Sequence, residues 1–121
     1  MAEHNITGKR GEELACEFLK DKGFKIIERN WTFRKYEIDI IFQKKDLLII
    51  GEVKTRSGNY FGEPELWVTK IKQKQLIKGA EQYILQHNLN YEIRFDIISV
   101  IFSVKGDFKI HHIESAFYPI L

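Results

Sequence analysis

Cysteine is almost missing from this chain: Cys16 stands alone among 121 residues. A single thiol excludes an internal disulfide and any cysteine-rich zinc site. Long apolar runs are missing too, none approaching the roughly 20 residues that a membrane span needs. The polar N-terminus lacks the hydrophobic core of a secretory signal, so the expectation is a cytoplasmic protein with no membrane association. An excess of one charge is also lacking. Nineteen basic and seventeen acidic residues leave a net charge of +2, and any affinity for nucleic acid must therefore rest on local patches. Repeats, low-complexity segments and linkers are absent. What remains is ordinary for a globular protein, 44% hydrophobic and 30% charged residues. The length fits one domain over residues 1–121 with a real core.

The stretch from Tyr36 to Lys54 organises the rest. Two β-branched, aromatic-rich runs flank Lys44-Lys45-Asp46 and read as a β-hairpin. Alternate residues of a strand share a face, so Glu37 and Asp39 go together, as do Glu52 and Lys54. A turn centred on Lys45-Asp46 puts Asp39 across from Glu52 and Glu37 across from Lys54. No Asn-Gly or Asp-Gly pair pins that register, and a slip of one residue separates the carboxylates. Opposed like charges destabilise a sheet and resist joint ionisation. A divalent cation supplies the compensating charge, with Lys54 a further partner. Mg²⁺ prefers one or two carboxylates completed by waters and phosphate oxygens, which points to phosphodiester hydrolysis. Solvated charges on an exposed strand face are the competing reading at this stage.

The remaining segments place an α/β frame around this hairpin. Thr7 is the expected N-cap of a helix reaching Asp21, with Leu14, Ala15, Phe18 and Leu19 as its apolar stripe. Glu12 lies on the margin of that stripe, suited either to a site on the sheet beneath or to the helix dipole. Phe24 to Phe33 reads as a strand. The segment from Thr55 to Pro64 reads as a loop, in which Arg56, Ser57 and Tyr60 are candidates for contacting phosphate or a base.

Thr69 is the expected cap of a second helix to His87, buried through Leu76, Ile77, Ala80, Tyr83 and Ile84. Lys70, Lys74 and Lys78 recur at helical spacing with Lys72 alongside, and no acid interrupts them. Tyr91 to Phe102 reads as a strand covered on both faces, with Asp96 paired to Arg94. Phe108 to Ile113 is the last strand. His4, His87, His111 and His112 show no spacing with acids that suggests histidine chemistry. The order predicts a mixed β-sheet flanked by two main helices.

Several motifs in sequence are similar to those of one family. Gly8-x-x-Gly11-Glu12, Glu37-Ile38-Asp39, Gly51-Glu52-Val53-Lys54-Thr55-Arg56, Phe61-Gly62, Val68-Thr69 before a Lys-rich helix, and Arg94-Phe95-Asp96 resemble the YraN or UPF0102 family. The resemblance covers about residues 5–102. It implies a restriction-endonuclease-like PD-(D/E)XK core similar to that of archaeal Holliday-junction resolvases. By the same resemblance Asp39, Glu52 and the Val53 carbonyl are expected to hold Mg²⁺ or Mn²⁺. Lys54 is expected to orient the attacking water, Glu12 to complete the catalytic set, and Lys72 to match a basic position opening the second helix.

The implied reaction is in-line hydrolysis of nucleic acid, expected to be DNA and including branched or repair intermediates, leaving a 5′-phosphate. Arg56, Tyr60, Lys70, Lys72 and Lys74 are the expected nucleic-acid contacts. Resolvase-like relatives imply a homodimer, for which the sequence offers no evident interface. Two departures stand out: Tyr36 where the family usually has Gly, and Gly51 where it usually has a bulky apolar residue. The rival readings are a nucleic-acid-binding module that keeps the nuclease fold without cutting, and a structural or interaction domain.

Overall fold

The β-branched and aromatic runs become strands β1 (Lys25–Phe33), β2 (Tyr36–Lys44), β3 (Leu47–Ser57), β4 (Glu92–Phe102) and β5 (Phe108–Phe117). Helices α1 (Ala2–Asp21) and α2 (Lys70–His87) complete the architecture. The computed structural model describes residues 2–58 and 68–119, with side chains from Thr7 onward. Tyr60 and the Phe61-Gly62 pair lie outside the described residues. The sheet order is β1-β2-β3-β4-β5. Among the described residues only the β3–β4 pair is parallel, since it is bridged by the α2 crossover; hairpin neighbours run antiparallel. The protein is α/β, a mixed sheet with two helices.

Each face of the sheet is covered by one helix. Leu76, Ala80 and Tyr83 of α2 pack with Ile38, Ile41, Leu48, Ile50, Phe95 and Ile97. Ala15, Cys16 and Leu19 of α1 pack with Ile40, Phe42, Ile49, Ile98 and Val100 on the other side. Burial on both faces explains the nearly continuous apolar runs in β3 and β4. Helix α1 approaches the sheet closely where a side chain is missing. A Cβ at Gly11 would collide with the Thr55 side chain. Gly79 of α2 faces Tyr36 and Ile38, where an added Cβ would make ordinary contact.

Thr69 caps α2 as its chemistry predicts: Oγ1 accepts the Lys72 N–H at 3.1 Å. Asn88 ends the helix in the left-handed region, at φ 51°, and its N–H donates to the Ile84 carbonyl.

Three boundaries differ from the sequence reading. Thr7 is inside α1 rather than at its cap, because helical backbone continues back to Ala2; an interior Thr costs only a few tenths of a kcal/mol in propensity. β3 continues through Thr55, Arg56 and Ser57, which pair with Val100, Ile101 and Phe102. Pairing to a buried strand overrides the polar composition of that segment. β5 runs on to Phe117 past an irregularity opposite Asp96, where Ser115 adopts φ 52°.

The hairpin register is the predicted one from Lys44–Leu47 to Ile40–Gly51, and there the β2–β3 ladder stops. Beyond it Glu37 pairs with Thr32 of β1, and Glu52 and Lys54 pair with Ile97 and Ser99 of β4. Glu37 is therefore not the ladder partner of Lys54. β2 and β3 part into a fork, and the facing of β2 changes at the same point. Ile38 belongs to the α2-side cluster with Ile41, whereas Ile40 and Phe42 belong to the α1 side. Asp39 occupies that break.

Candidate active site at the strand fork

With the ladder interrupted, the Val53 N–H needs another acceptor, and Asp39 Oδ2 takes it at 2.8 Å. This bond holds the half-buried Asp39 carboxylate against β3. Glu52, one residue before Val53, is only 4% exposed. Its carboxyl is hydrogen-bonded to that of Asp39, so the two acids meet although they are not paired through their backbones. Lys54 Nζ lies 3.7 Å and Lys72 Nζ 3.8 Å from Glu52 Oε2. One lysine comes from the same strand face and the other from the first turn of α2, oriented by the Thr69 cap.

The electrostatics of this group are unbalanced. Burial and then the neighbouring Asp39 push the Glu52 carboxyl up to about 8, and the Lys72 and Lys54 ammonium groups only partly oppose them. Near neutral pH the protein's own charges therefore leave Glu52 holding a proton. Glu12 on α1 is also raised, by burial and then by Asp39, with Arg29 and the Asn30 side chain acting in the opposite direction. It lies within the field of Asp39 on the α1 side of the fork. Ser99, the ladder partner of Lys54, is fully buried, and its Oγ has no hydrogen-bond partner among the described residues.

These donors suit some metals and not others. Among the described residues no group of three or more His, Cys, Asp or Glu side chains could hold an ion, which disfavours a closed zinc site. Two touching carboxyls, one of them short of positive charge, fit a hard divalent cation that retains water ligands.

The other predicted residues are more dispersed. Lys70 and Lys74 are exposed on α2, and of the three predicted lysines there Lys72 is the one that reaches Glu52. Arg56 is on β3 rather than in a loop, and its guanidinium donates to the Thr55 carbonyl at 2.9 Å. A cleft of about 630 Å³ lined by Lys44, Asp46, Asn90 and Tyr91 lies at the hairpin turn and holds none of the groups above.

A second polar cluster, of which the sequence disclosed only the Arg94–Asp96 pair, lies on the α1 side of β4. Asp96 is fully buried and takes two bonds from Arg94, from Nε and from one terminal nitrogen, both at 2.9 Å. It also accepts the Ser115 N–H at 3.0 Å. His112 Nε2 is 2.7 Å from its Oδ2. Lys22 Nζ sits 3.3 Å from His112 Nδ1, which assigns the Nε2–H tautomer. The imidazole edge packs among Phe18, Phe24 and Phe42. Burial alone would raise the Asp96 carboxyl, but hydrogen bonds from His112, Arg94 and Ser115 hold it below its usual value. Arg94 and Asp96 were legible as a pair. His112 was not, because its acid lies on a neighbouring strand.

Comparison with known proteins agrees with this architecture at the level of family. The profile described as "Uncharacterised protein family UPF0102" matches residues 11–100. A UPF0102 protein of Flavobacterium psychrophilum is 52% identical over 118 residues, covering 98% of each chain. One from Phocaeicola vulgatus is 45% identical over 98% of each. Another, from Bacteroides thetaiotaomicron, is 44% identical over 100% of this chain and 99% of its own. The chain is an α/β protein of mixed-sheet architecture, and it belongs to the UPF0102 family.

Proposed function

We propose that this protein is a metal-dependent nuclease with a restriction-endonuclease-like core, hydrolysing phosphodiester bonds in nucleic acid, with DNA as the first substrate to test. One observation carries the reading. A buried glutamate carboxyl is bound to an aspartate carboxyl where two strands separate, with two lysines on the same oxygen. A structural role does not account for this well, since burying two touching acids is costly unless something compensates them.

Asp39 and Glu52, with the Val53 carbonyl, would hold Mg²⁺ or Mn²⁺. Bound there, the ion would polarise the scissile phosphate and lower the pKa of its water. Lys54 would orient a nucleophile and offset charge developing on the phosphoryl oxygens. Lys72 adds a second cation on the substrate side. Glu12, through Asp39, would keep the α1 flank of the site acidic. Lys70 and Lys74 extend the positive surface along α2, where phosphates would be attracted. Such a protein would act in the cytoplasm as a single unit or a homodimer.

The test is a panel of end-labelled junction, flap, nicked and single-stranded DNA incubated with Mg²⁺ or Mn²⁺. The proposal expects divalent-dependent cleavage to 5′-phosphate ends, lost in Glu52→Ala. DNA binding in EDTA with no cleavage under either ion would instead identify a binding module. Neither binding nor cleavage would leave an interaction domain.

A further inference from the structure

Beside the fork, the turn between β1 and β2 meets the exposed edge of α2 in a cleft of about 170 Å³. It is lined by Lys35, Tyr36, Ile71, Lys74, Gln75 and Lys78. Its composition is unusual for a solvated surface. Among the described residues that line it, three of six side chains are cationic and none is acidic. Tyr36 supplies an aromatic ring, with Lys35 Nζ 5.8 Å from its centroid. Ile71 is a large apolar side chain left 74% exposed. Gln75 brings an amide that both donates and accepts. Tyr36 packs beside Gly79 of α2, at a separation where even an added methyl would make only ordinary contact, 3.4 Å from the Tyr36 Cβ.

We infer that this cleft receives an unpaired nucleotide, its base against Tyr36 and Ile71 and its phosphates on Lys35, Lys74 and Lys78. The inference rests on the nucleic-acid reading of the fork and deepens it by specifying the form of substrate. Charge complementarity selects a polyanion. The aromatic and apolar walls favour one with flat, partly apolar groups, and Gln75 can meet the edge of a base. A base can lie on a side chain only after leaving its stack, so the fitting partner is single-stranded or carries an unpaired segment.

Tyr36 is three residues along β2 from Asp39, about 10 Å at the rise of a strand. That is on the order of three nucleotides at a stacked rise of about 3.4 Å, and fewer where the strand is unstacked. Unpaired nucleotides would therefore lie close to the bond that is cut, which makes flaps and junction arms better substrates than intact duplex.

Binding measured in EDTA separates this inference from catalysis. Fluorescence anisotropy of the full chain with a labelled single-stranded oligonucleotide and a labelled blunt duplex is the readout. Tyr36→Leu keeps the bulk of the side chain but removes the ring, and Tyr36→Phe restores the ring alone. Loss of one base stack predicts roughly tenfold weaker single-strand binding for Tyr36→Leu, with duplex affinity changed by less than about twofold. Tyr36→Phe should bind both as wild type does. Equal loss on both DNAs, or no loss on the single strand, overturns the cleft while leaving the nuclease reading intact. Wild-type protein that binds neither DNA overturns the cleft, and the nuclease reading falls with it only when the divalent-ion panel also shows no cleavage.

Discussion

Asp39 Oδ2 accepts the Val53 N–H at 2.8 Å, so a side chain of one strand satisfies a backbone group of the next just where their ladder has stopped. This bond is what brings Asp39 to Glu52. Direct cross-strand pairing would set the two acids at a distance fixed by the sheet; the fork instead brings the carboxyls within hydrogen-bonding reach of each other. The same bond commits one Asp39 oxygen to the backbone of β3 while the carboxyl also meets that of Glu52.

The unbalanced charge at Glu52 should be visible in stability without any substrate. Its folded value, about 8, lies above the ordinary 4.5, so between those limits the native state holds a proton that the unfolded chain has released. Stability must then fall as pH rises through that window and level off above it. Urea denaturation in EDTA should show the decline in wild type and a flatter profile in Glu52→Gln. A wild-type profile as flat as the variant's would mean that the pair is adequately neutralised by Lys54 and Lys72.

Lys54 should matter more to rate than to metal. Lys54→Ala is expected to slow cleavage about 10²- to 10³-fold, the usual effect of losing one group that stabilises transition-state charge. Its Mn²⁺ affinity should stay close to that of wild type, whereas Asp39→Ala should lose both activity and ion. Single-turnover assays alongside calorimetry separate these outcomes, and a Lys54→Ala enzyme that cuts normally would remove this residue from the mechanism.

Asp96 should be a stability residue with acid sensitivity of the opposite sign. Its folded pKa lies below the ordinary 3.8, so its contribution is complete above that value and disappears as pH falls through the lower, folded one. Asp96→Ala leaves Arg94 and His112 without their shared acceptor and should cost about 3–5 kcal/mol. Denaturant midpoints at neutral and acidic pH check this. The gap between wild type and variant should narrow on acidification.

Gly51 tests the packing behind the site. An added methyl would approach Phe42 Cε1 to 2.8 Å and Ile98 Cδ1 to 3.0 Å. Gly51→Ala should destabilise by about 1–3 kcal/mol, the range for overpacking a filled core, as read from thermal unfolding. A larger apolar residue there should be worse.

Much of this arrangement was legible because it is local. Thr69 announces the α2 cap by its own chemistry, and the Lys45-Asp46 turn sets the register from Lys44–Leu47 to Ile40–Gly51. The features that were hidden depend on neighbours distant in sequence. The strand character of Thr55 to Ser57 comes from pairing with Val100 to Phe102. The β5 irregularity at Ser115 is tied to Asp96, 19 residues away. His112 meets the same carboxylate across 16 residues, and no spacing rule within either strand links them. The fork itself falls in this class, since alternation gives faces but not the point at which two strands part.

The central claim is that Asp39 and Glu52 share one divalent ion, and calorimetric titration of Mn²⁺ into metal-free protein tests it most directly. Wild type should give a saturable isotherm that both Asp39→Asn and Glu52→Gln abolish while remaining folded by circular dichroism. Wild type without measurable binding, or variants that bind as tightly as wild type, would contradict it.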